Sequence, residues 1–367
     1  FMSFSDHTQS GAPDLSVGYA AALGSAALFD RSAAGRIRIR GADRAAWLQG
    51  LVTNDVAALR PGHGCYAAFL TAQGRMISDM RVLAFEHSLL LDVPDSTKDA
   101  VLNRLDQFVI TEDVALADET LSTARFTVFG PAGAALLAQA LAGRDVGAEG
   151  EWIRALEALP EHGHLSAPSG QGGLVVARAW ELGNSGFDVY CESNRRQSVW
   201  AAFTAGAMVP ALGDAWQTLR IEAGIPTFGT DMDEETIPLE AGIERRAISE
   251  TKGCYVGQEI VVRILHRGQG RVARKLVGLM ADGLAESAQP LAAGSPILAE
   301  GGSVAGRVTS TAYSPRLNRW VALGYVHRDL ATPETRLRLE VGTTVVPVRV
   351  APLPFVGPAG APPPTAS

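Results

Sequence analysis

The sequence predicts an α+β fold in which two similar units precede a small all-β domain. The order strand, glycine, helix, hairpin, helix occurs once before residue 118 and again after it. Beyond Lys275 the pattern changes to short β-rich runs separated by Gly and Pro, with no helical period between them. At roughly 150 residues per domain, the 367 residues leave room for two to three domains. This order is typical of antiparallel sheets with helices on one face.

The first unit opens with strict alternation over residues 36–40 (RIRIR), which is typical of a half-buried strand. Gly41 interrupts the alternation, and residues 42–51 then carry a helical period. Further along the unit we expect three strands and a helix, over residues 66–70, 76–85, 88–93 and 95–108.

The second unit repeats this order, although no residue-level identity links the two. We expect a strand, a helix, a hairpin and two further helices, over residues 125–129, 132–141, 173–191, 195–205 and 214–223. In the all-β domain the predicted strands cover residues 276–280, 296–299, 303–310, 320–326 and 343–350, which indicates a barrel or a sandwich. The predicted division is 16–118, 119–270 and 275–351, followed by a flexible Pro/Ala/Gly-rich tail over 352–367.

Composition excludes several classes of protein. Apolar residues make up 47% and charged residues 19%, so the chain is not a disordered polymer, and a net charge of −7 argues against a general nucleic-acid coat. No stretch reaches the roughly 18–20 apolar residues of a membrane span, and no secretory signal is recognised. Three cysteines without CxxC spacing predict neither a disulfide framework nor a metal site within one chain. We therefore expect a soluble, cytoplasmic protein with no membrane partner.

The segment KGCYVGQE (Lys252–Glu259) combines two glycines with five chemically active side chains. The Cys254 thiolate would be a nucleophile, and Lys252 together with the cations of residues 263–267 would lower its pKa. The alternative is that a lone cysteine is a small buried hydrophobe. A loop so dense in Gly and polar side chains favours a functional site, and we take Cys254 and Lys252 as candidate catalytic residues.

Two charged segments flank this loop. Arg263–Lys275 concentrates positive charge and is interpreted equally well as a docking surface for an anionic ligand or nucleic acid, or as a solvated linker. Asp231–Glu235 is a carboxylate cluster that lacks EF-hand spacing, so a solvated acidic loop is favoured over a cation site.

Asp79 lies in the predicted strand 76–85 and shares a face with Arg81. From residue type alone it is either an exposed-face residue, which is favoured, or a buried acid that binds a ligand. Arg220 and Glu222 lie on the predicted helix 214–223.

The sequence KGCYVGQE resembles the signature of the YgfZ family, folate-binding proteins associated with iron–sulfur protein maturation and tRNA modification, which are relatives of the glycine cleavage T-protein (aminomethyltransferase). Three further segments are similar to the pattern of these families: WLQGLVTNDV with GCYAAFLTAQGRMISDM, LRIEAGIPTFGTDMDEETIPLEAG, and VTSTAYSPRLNRWVALGYV. The resemblance covers most of the chain. It implies two ferredoxin-like halves and a β-barrel around a channel for tetrahydrofolate or a one-carbon derivative of it.

The resemblance also implies roles for individual residues. Asp79 matches the second of two paired acids in the T-protein, where an acid assists one-carbon transfer, and Ser78 replaces the first. Asp188 stands where the T-protein has a glutamate that hydrogen-bonds the pterin, and Arg220 matches an arginine near the folate. Cys254 replaces a common aspartate, which argues against simple aminomethyl transfer.

The leading hypothesis is therefore a tetrahydrofolate-binding accessory protein for iron–sulfur enzymes, with Cys254 as the functional thiol and Tyr255, Gln258 and Glu259 as further folate-binding candidates. Its partners would be iron–sulfur client or assembly proteins. A second hypothesis is a folate-dependent one-carbon transferase of the aminomethyltransferase type, with Asp79 as acid and base. A third is a tRNA-docking protein that uses Arg263–Lys275.

Overall fold

The computed structural model describes residues 15–143, 146–167, 173–179, 181–182, 186–267, 271–282, 291–342 and 344–357. Its helices are α1 (Leu15–Gly24), α2 (Arg44–Gln49), α3 (Lys98–Asp106), α4 (Gly133–Ala142), α5 (Val146–Glu157), α6 (Arg196–Ala205), α7 (Gly213–Glu222), α8 (Glu244–Ala247) and α9 (Gln258–Val262). Its strands are β1 (Ala27–Asp30), β2 (Gly35–Arg40), β3 (Gly64–Leu70), β4 (Met76–Phe85), β5 (Ser88–Val93), β6 (Ala115–Asp118), β7 (Thr123–Phe129), β8 (His164–Ser166), β9 (Val175–Ala179), β10 (Gly186–Glu192), β11 (Val209–Pro210), β12 (Arg274–Ala281), β13 (Pro296–Leu298), β14 (Val304–Ser314), β15 (Arg319–His327), β16 (Arg336–Val341) and β17 (Thr344–Ala351).

The first sheet has five strands in the order β3-β4-β5-β2-β6. Alternate residues of β2 and β5, among them Ile37, Ile39, Leu89 and Leu91, face a core that α2 and α3 cover. The predicted strand at residues 36–40 and the three predicted strands after it are confirmed. The alternation that predicted β2 places Ile37 and Ile39 on the face of this core.

The second sheet has six strands in the order β11-β1-β7-β10-β9-β8. Helices α4, α5 and α6 cover its outer face, where Phe126, Phe187 and Phe203 lie in one core. The predicted hairpin is confirmed as the antiparallel pair β9–β10. Helix α5 was not expected from the sequence, although Trp152, Ile153 and Leu156 pack against this core.

The second sheet also includes residues that the sequence analysis placed in the first unit. Strand β1 pairs antiparallel with β7 and parallel with β11, and α1 packs against α7 in the same part of the molecule. Residues 15–30 therefore cross to the second sheet, where β1 fills the position between two strands whose backbone groups it satisfies.

The two sheets face each other through the sides that carry no helices. Leu83 and Leu90 of the first sheet meet Ala177 and Tyr190 of the second. Because side chains alternate along a strand, Asp79 and Arg81 of β4 share the side of Leu83. The face of β4 on which an exposed Asp79 was favoured is therefore turned toward the other sheet, and this preference from residue type alone is wrong.

Strands β12-β15-β14-β13-β16-β17 form a closed barrel, as the resemblance implied. Its interior contains Leu279, Ile297, Val308 and Leu339. Strand β16 was missed in the sequence, although its letters RLRLEV alternate in the period of a strand. In the described residues no helix is long and apolar enough to cross a membrane.

Candidate functional site

Asp79 lies in the middle of β4 and presents one carboxylate oxygen without a partner. Its Oδ2 accepts a hydrogen bond of 2.7 Å from the Tyr66 hydroxyl on the neighbouring strand β3. Its Oδ1 is buried and has no hydrogen-bond partner among the described residues. Burial raises the pKa of Asp79 to about 6, and the Tyr66 hydrogen bond opposes part of this rise. A carboxyl group with this pKa can hold or release a proton near neutral pH.

Tyr66 is itself held in place by an arginine. The Arg246 guanidinium of α8 lies over the Tyr66 ring, 4.9 Å from its centroid. Burial lowers the pKa of Arg246 to about 10. The cation on the ring keeps Tyr66 in the orientation from which it donates to Asp79.

Asp79, Tyr66 and Arg246 line a cavity with about 830 Å³ of empty space, part of which is open to solvent. The wall is partly apolar, from Met80, Val93, Trp216, Ile225, Pro226, Phe228 and Ile243, and partly charged, from Arg31, Arg81, Asp92, Arg125, Glu181 and Arg220. An apolar wall with a few converging polar groups suits a largely aromatic ligand that carries polar ends.

Deeper between the sheets, buried ions form a closed network around Arg125. Arg125 binds Asp92 at 2.9 Å, Asp188 at 2.9 Å and Glu181 at 2.5 Å. Arg81 binds the same two aspartates, at 2.7 and 2.6 Å. Burial alone would raise the pKa of Asp92, but Arg125 and Arg81 bring it down to about 2. Each of the three carboxylates is thus bound by at least one of the two arginines.

Asp188 belongs to this network. Its Oδ1 accepts from Thr127 at 2.5 Å and from Arg125, and its Oδ2 lies against both Arg125 and Arg81. Burial acts to raise the pKa of Asp188, and the two arginines hold it below its usual range. Both oxygens are thus bound within the protein, and Asp188 is not among the residues that line the cavity. The structure does not bring it into the position expected of a pterin acceptor.

Arg220 lines the cavity, but its guanidinium binds other parts of the protein. It donates to Gln217, to the Ile225 carbonyl, to Asp231 at 2.7 Å and to Ser310 of the barrel at 2.7 Å. Asp231 is 3% exposed, so the first residue of the expected solvated acidic loop is buried instead. In this pair Arg220 connects α7 to the barrel.

The loop Lys252–Glu259 lies outside the cavity wall. Lys252 is buried, and its Nζ donates to the carbonyls of Gln49 and Val52, both at 2.5 Å. The Tyr255 ring packs under that ammonium group at 5.0 Å. None of the eight loop residues, all of which the structure describes, lines the cavity. The candidates Lys252, Tyr255, Gln258 and Glu259 are therefore not brought together with Asp79.

The loop nevertheless supports the strand pair that carries Asp79. Gly257 has φ +83°, and a Cβ there would collide with the carbonyl oxygen of Thr71 in the β3–β4 turn. Only glycine combines this backbone conformation with so close an approach.

Cys254 is exposed, so the interpretation as a buried hydrophobe is wrong. Burial lowers the pKa of Lys252 to about 8, and raises that of nearby Cys65 to about 12.

The basic segment after this loop is divided by the fold. Arg263 and His266 lie on an exposed turn after α9, and residues 268–270 lie outside the described residues. Arg274 begins β12, binds Glu240 at 3.1 Å and covers the Tyr325 ring. In the described ranges no cluster of three or more His, Cys, Asp or Glu is arranged to hold a metal ion.

Sequence reasoning missed several residues of the site, chiefly Arg31, Tyr66, Arg125, Glu181 and Arg246. Arg125 occurs in the strand ARFTVF, where a charge among apolar residues is the same signal that singled out Asp79. Arg31 and Arg246 lie in a turn and a short helix, where no period indicates their direction.

Two facing sheets, a cavity with an acid between them and an attached closed barrel define the class of the glycine cleavage T-protein fold. The GCVT N-terminal domain family matches residues 15–251, and the glycine cleavage T-protein C-terminal barrel domain family matches residues 274–357. Together these matches span most of the chain, and the protein belongs to this family.

The relatives and solved structures agree with this membership. The chain is 34% identical over 334 residues to an aminomethyltransferase of Rubrobacter xylanophilus, covering 90% of this chain and 83% of the relative. It is 30% identical to an aminomethyltransferase of Streptomyces avermitilis, with coverage of 90% and 86%. The crystal structure of aminomethyltransferase T of the glycine cleavage system from Bartonella henselae matches with a TM-score of 0.81 at 21% identity, covering 93% of this chain and 89% of that one. This structural match supports the fold.

Proposed function

We propose that the protein is a folate-dependent one-carbon transferase of the aminomethyltransferase type and that Asp79 is its acid–base group. The observation that carries the proposal is the carboxyl of Asp79, which lines the cavity with a buried Oδ1 that has no partner among the described residues. The two relatives named above are aminomethyltransferases, which supports the same activity.

The residues of the cavity suit a reduced folate. An unpartnered carboxyl oxygen matches an N–H of the ligand, since a buried acceptor without a donor is unfavourable. Met80, Phe228 and Trp216 offer apolar surface for flat rings. Bound tetrahydrofolate would supply the nitrogens that take up the one-carbon unit.

The chain itself supplies proton transfer and positioning. Tyr66 holds Oδ2 of Asp79, which leaves Oδ1 to give or accept a proton at the cavity wall. A pKa of about 6 keeps both protonation states accessible near neutral pH. Burial between the sheets excludes water from that proton.

The test is formation of methylenetetrahydrofolate from tetrahydrofolate and an aminomethyl donor. We expect Asp79→Asn to reduce kcat by roughly 10²–10⁴, the usual contribution of a general acid or base. Asp99→Asn, an 82% exposed carboxylate on α3, is the matched control and should retain full activity. Absence of turnover by the wild type, or an Asp79→Asn variant as active as the wild type, would contradict the proposal.

A second candidate function, the tetrahydrofolate-binding accessory role in iron–sulfur protein maturation, is favoured by the exposed thiol of Cys254. An exposed thiol in a loop that supports the β3–β4 turn is accessible to a partner protein. Exposed Arg263, His266 and Arg271 would offer positive surface to a client or to tRNA.

This candidate makes a different prediction. Cys254→Ser should retain tetrahydrofolate binding but fail to restore iron–sulfur enzyme activity in a deletion strain, and full restoration would exclude the thiol role. Contact with tRNA would weaken with added salt and on neutralising Arg263 and Arg271; insensitivity to both would exclude it.

A further inference from the structure

Arg31 differs from Arg125 and Arg220 in that its guanidinium has no hydrogen-bond acceptor among the described residues. It follows β1, and its backbone N–H donates to the Arg125 carbonyl at 2.9 Å, which fixes the turn. Its guanidinium lies over the Trp216 indole of α7, 4.2 Å from the ring centroid. Stacking of this kind holds the planar group in one orientation while leaving its N–H edge available.

Among the described residues, none accepts a hydrogen bond from the Arg31 guanidinium, and its Nε is buried. Arg125 and Arg220 line the same cavity, and in both of them Nε and both terminal nitrogens donate to protein oxygens. Glu181 acts on Arg31 electrostatically, but its carboxylate is hydrogen-bonded to Arg125. Burial lowers the pKa of Arg31 without removing its charge.

A half-buried cation with no acceptor is unfavourable in the empty protein, and an anionic group of a ligand removes that penalty. The planar fork of a guanidinium matches a carboxylate with two parallel hydrogen bonds. Asp79 offers the cavity a free acceptor, whereas Arg31 offers it free donors. The ligand is therefore expected to present an N–H to one group and a carboxylate to the other.

We propose that Arg31, stacked on Trp216, binds a carboxylate of the glutamyl tail of a folate and so makes the cavity selective for glutamyl folates. The assignment rests on the proposed folate-dependent function and names the part of the ligand that this side chain recognises. It assigns the contact with the folate tail to an arginine whose donors are available, and not to Arg220, which the resemblance placed near the folate.

The test compares tetrahydrofolate with tetrahydropteroate, which carries the same rings but lacks the glutamate. Dissociation constants for both are measured by calorimetry with the wild type, Arg31→Gln and the matched control Arg178→Gln. Arg178 is stacked on Phe187 at 4.9 Å in the same way but does not line the cavity. We expect Arg31→Gln to weaken tetrahydrofolate by about 10- to 100-fold, as for a lost charge-assisted pair, and tetrahydropteroate by less than about twofold.

The remaining outcomes each overturn the assignment. Equal weakening of both ligands by Arg31→Gln would indicate a structural role, as would an equal effect of Arg178→Gln. Unchanged tetrahydrofolate affinity in Arg31→Gln would exclude the contact. A wild type that binds neither ligand would overturn the proposed function together with this assignment, whereas the other results leave that function standing. Retained tetrahydropteroate binding shows that the variant is folded.

Discussion

Arg125 and Arg31 line one cavity, but their surroundings are opposite. Arg125 is 3% exposed and is bound to Asp92, Asp188 and Glu181, so its charge is compensated within the protein. Arg31 is half-buried, stacks on Trp216 and donates no side-chain hydrogen bond to any described residue. Asp92 and Asp79 differ in the same way, with pKa values near 2 and 6. Partnered charges hold the two sheets together, and unpartnered ones mark where a ligand is recognised.

The largest predicted effect is the loss of stability when the paired arginine, Arg125, is replaced. Arg125→Met leaves Asp92 and Asp188 with only Arg81 between them, and should reduce the free energy of unfolding by about 3–5 kcal/mol. Urea denaturation at pH 7 measures this. Arg178→Met, which removes a stacked arginine that forms no ion pair with any described residue, should cost less than about 1 kcal/mol. Equal losses in the two variants would contradict the distinction.

Replacing Asp79, the buried acid of the cavity, should have the opposite effect on stability from Arg125→Met. Since folding raises the pKa of Asp79 from 3.8 to about 6, the wild type becomes progressively less stable as pH rises through that interval. Asp79→Asn should therefore increase the free energy of unfolding by roughly 3 kcal/mol at pH 8, while activity is lost. The gain should disappear below about pH 4. A destabilised Asp79→Asn variant at pH 8 would assign Asp79 to the structural network.

The third prediction distinguishes Asp92 from Asp79 by the pH range over which each affects stability. The folded-state pKa of Asp92 is about 2, below its ordinary value of 3.8, so its contribution is present above that value and is lost as pH falls from about 4 to about 2. We expect roughly 2 kcal/mol of stability to disappear over that range in both the wild type and Asp79→Asn. In Arg125→Met the acid-dependent loss should be smaller. Chemical denaturation at a series of pH values compares the three proteins, and an unchanged loss in Arg125→Met would refute the pairing.

The smallest effect is expected for the unpaired arginine. Arg31→Gln breaks no ion pair or hydrogen bond with the described residues, so only its stacking on Trp216 is lost. We expect the free energy of unfolding to change by less than about 1 kcal/mol. Thermal or urea denaturation of the ligand-free protein measures this change. A loss similar to that of Arg125→Met would mean that Arg31 is part of the scaffold.

Much of the fold was predictable from the sequence because apolar residues recur at the period of a strand. Alternation over residues 36–40 located β2, and the short β-rich runs after Lys275 located the barrel. The crossing of β1 into the second sheet was not predictable, since its four residues ALFD carry no information about which strand they pair with. Helix α5 was missed, although Trp152, Ile153 and Leu156 have the spacing of a helix face.

The site was predictable only in part. The strand period placed Asp79 on the face of Arg81 but gave no indication that a second sheet covers that face. The family resemblance implied that Asp188 and Arg220 bind a ligand, yet both are bound within the protein. Whether a charge is already compensated depends on contacts between distant segments, such as the 63 positions that separate Arg125 from Asp188. That is why Arg31, in an ordinary turn, was passed over.

Helix α7 carries Trp216 on the cavity side, and within two turns it carries Arg220 and Glu222, which bind Ser310 and Ser314 of the barrel. The barrel contributes no residue to the cavity wall among those that the structure describes. It nevertheless fixes the helix on which the indole under Arg31 stands. Docking of the barrel and binding of a ligand in the cavity are therefore expected to be linked equilibria. A substitution that removes the hydrogen bond of Ser310 or Ser314 to α7 should lower the affinity for the ligand.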